Sequence, residues 1–428
     1  MESRLLTTLC AAFQGATLRR RKDRRSPGKE ARAVIWHSRV LPLLALMLAG
    51  ILVISGCAAG GRGIAQGWAG GAVAGDVIFV GSMAGKIVAL DSTNGRILGE
   101  PVKLVAQTAG GGFGCLPTGS AAVAVYGSPV FSDDLVFIGG YDGKVRAFLF
   151  EENRLRADPR WISRQGDITG SIIGGLTVAG GRVYFGDSSG RAYALDAVDG
   201  HKLWHADIGG KVWSTPAVSD GTVFVGSFDR KLYALDGTDG SEKWAFTTEG
   251  TIVATPAVSG GMVYIASFDR HVYAVDAATG EQVWRFPQTD DDPLAPTGWF
   301  WASPVVHDGA VYAPNLDGRV YVIDAYTGIR ISDFDLEGPV SSDPVLVDDR
   351  IVVATTSTNR SKQESRLYSL DTADRQQTLV QDLGESVHAP LFTDGNTVYV
   401  HTMKDSLFAV DPRTGASRKF TLAAGSEK

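Results

Sequence analysis

From Trp68 to Leu422 the hydrophobic positions recur with a period of two, in short runs broken by Gly- and Asp-bearing stretches. Thr222–Ser227 shows the pattern: Val223 and Val225 alternate with Thr222 and Phe224. Both faces of such a strand are apolar, which predicts a strand held between neighbouring sheets. Phe228-Asp229-Arg230 interrupts it, and Tyr141-Asp142-Gly143 and Leu316-Asp317-Gly318 stand at the same place in other copies. Asp-Gly at that point predicts a primed hairpin turn. The strand Lys231–Asp236 follows, then an Asp-x-x-x-Gly turn from Asp236 to Gly240. Asp can bond the turn backbone and Gly supplies the positive φ. A last strand is expected from Trp244, and one through Pro216–Val218 opens the unit, giving four strands.

The unit repeats. Residues 215–244, 255–284 and 303–328 are plain copies, and weaker ones lie around 71–95, 128–150, 175–204, 343–371 and 389–415. The Asp that closes one strand marks the register at Asp91, Asp196, Asp236, Asp276, Asp324, Asp371 and Asp411, with Leu149 in the second copy. The steps are 58, 47, 40, 40, 48, 47 and 40 residues. A base unit of about 40 residues is a propeller-blade length. One blade cannot bury both faces alone, whereas eight in a ring can, and closure removes most exposed edges. The expected fold is all-β: an eight-bladed β-propeller of four-stranded antiparallel blades over residues 67–422. Blade 1 should open near Trp68, and Ser417–Leu422 should supply the last strand.

Ala194-Leu195-Asp196 through Gly200 to Trp204, Ala234 to Trp244 and Ala274 to Trp284 resemble the tryptophan-docking repeat of quinoprotein (PQQ-type) β-propellers. The resemblance implies that Trp204, Trp244 and Trp284 lie between adjacent blades as structural docking residues. Gly99, Ser332 and Lys419 take the Trp position in other copies. The enzymes among those proteins would imply a bound quinone, a calcium ion and a catalytic Asp. Their larger alcohol-oxidising members also carry an adjacent Cys-Cys pair, which this sequence lacks.

The N-terminal region reads differently. Arg19, Arg20, Arg21, Lys22, Arg24, Arg25, Lys29, Arg32 and Arg39 precede an uncharged run, Val40–Gly56, that ends in Ile54-Ser55-Gly56-Cys57. A basic region, an apolar region and small residues before a cut make a secretory signal. The cysteine after Ser-Gly resembles the bacterial lipobox, which implies lipidation of Cys57 and a mature chain that starts there. Carried on to Gly61, the same run would just span a bilayer as an uncleaved anchor. Either way the body lies outside the cytoplasm. The expected plan is a signal region 1–56, a linker 57–66, the propeller 67–422 and a tail 423–428. A lipobox followed by eight quinoprotein-type blades resembles the BamB-type outer-membrane assembly lipoproteins. That implies a membrane-tethered scaffold with a protein partner in the cell envelope. The Leu-x-Leu-Arg-Gly-like stretch through which that family holds its barrel insertase is missing here.

Composition narrows the partners. The chain has 428 residues, 44% of them hydrophobic, and 52 glycines, so it can build a large core with many turns. Its net charge of -6 hides an asymmetry. Residues 1–56 hold ten Lys/Arg and three Asp/Glu, whereas residues 57–428 hold 31 and 44 and stand at -13. A body that acidic argues against nucleic acid. Cys10, Cys57 and Cys115 form neither a disulfide framework nor a zinc motif.

Candidate chemistry is sparse. His201 and His205 flank a turn and a strand rather than a helix face, and the glycine-rich run 110–115 lacks the Lys-Ser/Thr of a phosphate cradle. The three carboxylates in residues 289–293 read as a solvated loop. No catalytic residue, metal or cofactor is expected, and the alternative to a protein scaffold is a binding module for an extracellular small ligand or polymer. One constellation stands out. Three residues before each blade-opening Pro, or its equivalent, lie Trp68, Tyr126, Ile173, Trp213, Val253, Trp301, Ser341 and Val387. Small residues follow them, except for His388. If first strands are innermost, these positions ring one mouth of the channel, and the insertion 287–301 overhangs it. The expected binding set is Trp68, Tyr126, Trp213, Trp299, Phe300 and Trp301 on a monomeric propeller.

Overall fold

The computed structural model describes residues 67–106, 122–289, 291–356 and 364–422; the signal region, Cys10, Cys57, Cys115, residues 110–115 and Asp290 lie outside them. Among the described residues every regular element is a strand, and the strands form eight antiparallel sheets. The architecture is the eight-bladed β-propeller expected from the repeat. Blade 4 is representative: Ala217–Ser219, Thr222–Gly226, Lys231–Asp236 and Glu242–Thr247 pair in chain order. Its fourth strand begins two residues before Trp244. First strands of neighbouring blades approach one another around the axis, so they are innermost.

The double-faced apolar strand has the predicted cause. Val223 and Val225 pack toward blade 3 with Tyr184 and Ala194, while Phe224 packs toward blade 5 with Val263 and Ile265. Such a cluster fills each of the eight blade interfaces. Each fully buried Val, Leu or Phe contributes about 1.5–3 kcal/mol.

The hairpin between second and third strands is not of the primed type. In the blades whose hairpin is described, only its last residue has positive φ, and the N–H of that residue bonds the carbonyl three back, as in Gly143 to Gly140 (3.0 Å). A carboxylate stabilises the turn from inside. Asp229, Asp269 and Asp317 accept the hydroxyls of Tyr233, Tyr273 and Tyr321 at 2.5, 2.9 and 2.8 Å. Burial, then Asp229, pushes the Tyr233 phenol up to about 12. The Asp-x-x-x-Gly turn behaves as predicted. Asp236 accepts the Thr238 N–H at 2.8 Å, and Gly240 sits at φ +78. Those hydrogen bonds hold the Asp236 carboxyl down at about 2. Blade 2, with Leu149 in place of Asp, turns instead through Glu152 and Asn153, both at positive φ.

Tryptophan docking joins the middle blades. The indole N–H groups of Trp204, Trp244 and Trp284 donate to Gly237, Ala277 and Ala325 of the next blade, at 3.1, 3.1 and 2.9 Å. Each ring lies flat on the Gly of that blade's turn. A Cβ on Gly240, Gly280 or Gly328 would come within 2.6–2.7 Å of the indole, so only Gly fits beneath it. Trp161 does the same to Ala197 (3.1 Å) and Gly200, a fourth docking residue. It pairs with Ala147, the register position of the other docking tryptophans.

The ring closes without strand exchange, since blade 1 holds only residues 71–103 and blade 8 only residues 392–421. Lys419 does not take the Trp position there. Blade 8 lacks the bulge seen in blades 3 to 5, so Arg418 pairs with Ala409, and Phe420 covers Gly95 of blade 1. Buried His401 places Nδ1 2.7 Å from the Ala69 carbonyl and Nε2 3.2 Å from Asp405. Asp405 also accepts the Met83 N–H at 2.6 Å.

Candidate functional site

One end of the ring gathers the hairpins between second and third strands and the segments that enter each first strand. Backbone bonds tie the two together: Tyr141 to Ala124 (3.0 Å), Phe228 to Lys211 (2.9 Å), Phe268 to Thr251 (3.0 Å) and Leu316 to Trp299 (3.0 Å). The small residues behind the mouth positions are required sterically. A Cβ on Gly127 would lie 2.4 Å from the Gly174 carbonyl oxygen, and one on Gly174 2.6 Å from that of Trp213. Below them an inner girdle links blades by hydroxyl and carboxylate side chains. Gly175 donates to Thr215 (2.9 Å), Thr255 to Ser303 (2.9 Å) and Ser303 to Asp343 (2.7 Å). Burial pushes the Asp343 carboxyl up.

The predicted aromatic residues fall into three groups. Half-buried Trp68 meets Tyr126 edge-on at 4.8 Å and lies 6.3 Å from His388. Tyr126 is buried against Tyr141, and burial pushes its phenol up to about 12. Trp213 packs on Phe228 at 4.5 Å. Trp299 and Trp301 both stack on Phe268, each at 5.6 Å. Phe300 leaves the set. It is wholly buried in the core between blades 5 and 6, against Tyr321. Successive residues of an extended segment point to opposite sides, so Phe300 turns inward between two tryptophans that do not.

The insertion overhangs the mouth only at its end. Gln288 bonds the Thr327 carbonyl (3.2 Å) and the Leu294 carbonyl meets Arg330 (3.4 Å), so its first half follows the flank of blade 6. Thr297 then bonds Asp317 (3.0 Å) and the Gly298 carbonyl accepts from Asn315 (3.1 Å), pinning the end to the blade 6 hairpin. Sequence reasoning missed Tyr141, Phe228 and Phe268. The signal was available, because each directly precedes the hairpin Asp.

Asp196, Asp199 and His201 bring potential ligand atoms within 4.8 Å of one another at the blade 3 turn. Their bonds are those of the turn itself: Asp196 accepts the Val198 N–H (2.8 Å), and Asp199 accepts that of His201 (3.0 Å). His205 stands apart, on the fourth strand beside Tyr193.

Comparison with known proteins follows the same lines. The profile of the family described as outer membrane protein assembly factor BamB matches residues 29–211, 158–246, 189–331 and 316–419. Outer membrane protein assembly factor BamB of Salmonella typhimurium strain LT2 is 31% identical over 86 residues, covering 19% of this chain and 21% of that protein. The chain thus aligns with about a fifth of the length of this curated relative. Among solved structures, BamB from Moraxella catarrhalis superposes with a TM-score of 0.55 at 17% identity, over 69% of this chain and 84% of that one. The quinohemoprotein alcohol dehydrogenase from Comamonas testosteroni gives 0.55 at 15% identity, over 70% and 67%. At these identities both structures share the fold alone.

Proposed function

The chain belongs to the family of outer membrane protein assembly factor BamB, and from that premise we propose a non-catalytic, membrane-tethered scaffold of the bacterial envelope that holds a protein partner at the aromatic mouth. The observation that carries the reading is the gathering of Trp68, Trp213, Trp299 and Trp301 at one end, none of them fully buried. Large rigid rings concentrate binding energy at low entropic cost. Lipidation at Cys57 would hold the propeller to the membrane and outside the cytoplasm, and intact mass of membrane-extracted protein reads that directly. The mouth is tested with a photo-crosslinking residue in place of Trp299 and, as control, in place of Ile329 on the blade 6 flank. A specific envelope-protein adduct from position 299 supports the reading; identical patterns from the two positions would sink it.

A second reading, a small polar ligand in the channel, is favoured by three buried polar atoms that lack a partner among the described residues. They are Trp213 Nε1, Ser341 Oγ and His388 Nδ1. Native mass spectrometry of purified protein would reveal such a guest as an adduct.

A further inference from the structure

The last residue of the hairpin between second and third strands is left-handed in every described blade that shows it. It is Gly85, Gly143, Gly190 and Gly318 in blades 1, 2, 3 and 6, and Asp405 in blade 8. In blades 4 and 5 it is an arginine, Arg230 at φ 72 and Arg270 at φ 73. A side chain in that conformation is strained, and such strain persists where something else requires the residue. Asp405 has an internal reason, because it bonds His401 within blade 8 and Met83 across the closing seam. The arginines have none. Both are exposed, and neither guanidinium makes a hydrogen bond or ion pair among the described residues. Nothing among the described residues accounts for choosing Arg over Gly twice.

Their surroundings say what they face. Each belongs to the same tetrapeptide, Ser-Phe-Asp-Arg, at 227–230 and 267–270. The Phe members, Phe228 and Phe268, are the rings on which Trp213, Trp299 and Trp301 rest. The Asp members accept from Tyr233 and Tyr273, and Asp269 also from the Glu249 N–H (2.9 Å), so their oxygens turn to those donors and not to the arginines. Glu249, whose N–H bonds Asp269, adds an exposed carboxylate to the same end.

We infer that Arg230 and Arg270 form a paired anion-recognition edge beside the aromatic mouth, which takes an acidic, aromatic-containing segment of the partner polypeptide. Guanidinium groups bind carboxylates through paired N–H donors, and the rings beside them accept an apolar side chain. The inference rests on the protein-scaffold reading and names the chemistry of its partner.

The test is binding of a random glutamate–tyrosine copolymer to the full chain, with phosphatidylglycerol vesicles as a parallel probe. Arg230→Gly with Arg270→Gly restores the residue found at this position in four other blades, so the thermal midpoint should hold or rise. Copolymer affinity should fall about tenfold or more, and wild-type binding should weaken with salt. Glu249→Gln should strengthen binding. Equal affinity of wild type and double variant would overturn the inference, and so would no measurable copolymer binding by wild type. A loss confined to vesicles would overturn it in favour of a lipid surface. None of these results touches the crosslinking experiment, so the scaffold reading stands or falls separately.

Discussion

The arc from blade 2 to blade 6 and the seam between blades 8 and 1 solve one problem with different chemistry. Every interface in the arc uses a tryptophan whose N–H meets a carbonyl of the next blade and whose ring lies on that blade's turn glycine. The seam has Phe420 on Gly95, which fills the same space but donates nothing. Its polar links come from elsewhere: His401 to Ala69, Asp405 to Met83, and Arg418 to the Thr93 carbonyl. An apolar cluster of Ile78, Val80, Val88 and Leu90 with Phe392, Tyr399 and Leu407 completes it. Within the arc a single motif can be copied from blade to blade. The seam joins the two ends of the chain once, so it is free to use residues found nowhere else in the repeat. At the interface between blades 6 and 7 both members of the Trp–Gly pair are missing. Ser332 replaces the tryptophan, and Arg375 stands at the turn position held by glycine in blades 3 to 6, at φ 58.

The largest effect should come from the arc. Trp204→Ala removes a buried indole and leaves a cavity at the interface of blades 3 and 4, costing about 3–5 kcal/mol. Chemical denaturation measures it, and a midpoint unmoved by the change would mean that docking is incidental. Hydrogen exchange should rise first in blades 3 and 4.

His401→Ala should cost less, about 1–3 kcal/mol, because it leaves the Ala69 carbonyl unpaired and takes one partner from Asp405. Its exchange signature should be local to the seam, at the amides of Met83 and of strand 398–401. If those amides stay protected while the whole protein loses stability, the seam is not a separate opening unit.

The same comparison explains which contacts the sequence carries on its surface. Trp204, Trp244 and Trp284 are visible because an uninterrupted 40-residue step puts each eight residues after the marker Asp. Trp161 occupies the identical pairing position but lies twelve residues after Leu149, since the hairpin tip Arg154–Leu155 and residues 156–160 intervene. Lys419 sits at the right count and the wrong place, because blade 8 lacks the bulge that the count assumes. Phe300 is adjacent in sequence to two mouth tryptophans, and only the alternation of an extended segment reveals that it faces the core. His401 was beyond reach, since its partner Ala69 lies 332 residues away and no repeat position carries the pairing. The aromatic mouth was legible in part: the ring residues follow from register, whereas Phe228 and Phe268 come from a different loop that only the fold brings beside them.

A gain should follow from copying the arc into the place that lacks it. Ser332→Trp together with Arg375→Gly installs a ring, its glycine platform and an unstrained turn between blades 6 and 7. Ser332 Oγ is buried and has no partner among the described residues, so little is lost. A stabilisation of about 1 kcal/mol is expected, mostly from relief of the left-handed Arg375 and from new burial. Destabilisation would show that blade 7 has no room for the ring and that the arc's chemistry is not transferable.

The smallest effect concerns pH, and it should divide the two regions. His388 lies at the seam beside Trp68, and burial holds its imidazole below the usual 6.5. In the fold it therefore resists protonation more than it does in the unfolded chain. As pH falls below 6.5 the unfolded chain takes up a proton that the folded one resists, and stability is lost. His271 belongs to the arc, in blade 5. Asp269 raises it above 6.5 against the opposing effect of burial. Its contribution is fully present below 6.5 and disappears as pH rises through the folded value. Denaturation midpoints of wild type, His388→Gln and His271→Gln from about pH 5 to 8 separate the two. In acid the His388→Gln protein should gain relative to wild type, and the His271→Gln protein should lose relative to it. Parallel curves for all three proteins would mean that neither imidazole couples its proton to folding, and that seam and arc do not differ in their response to acid.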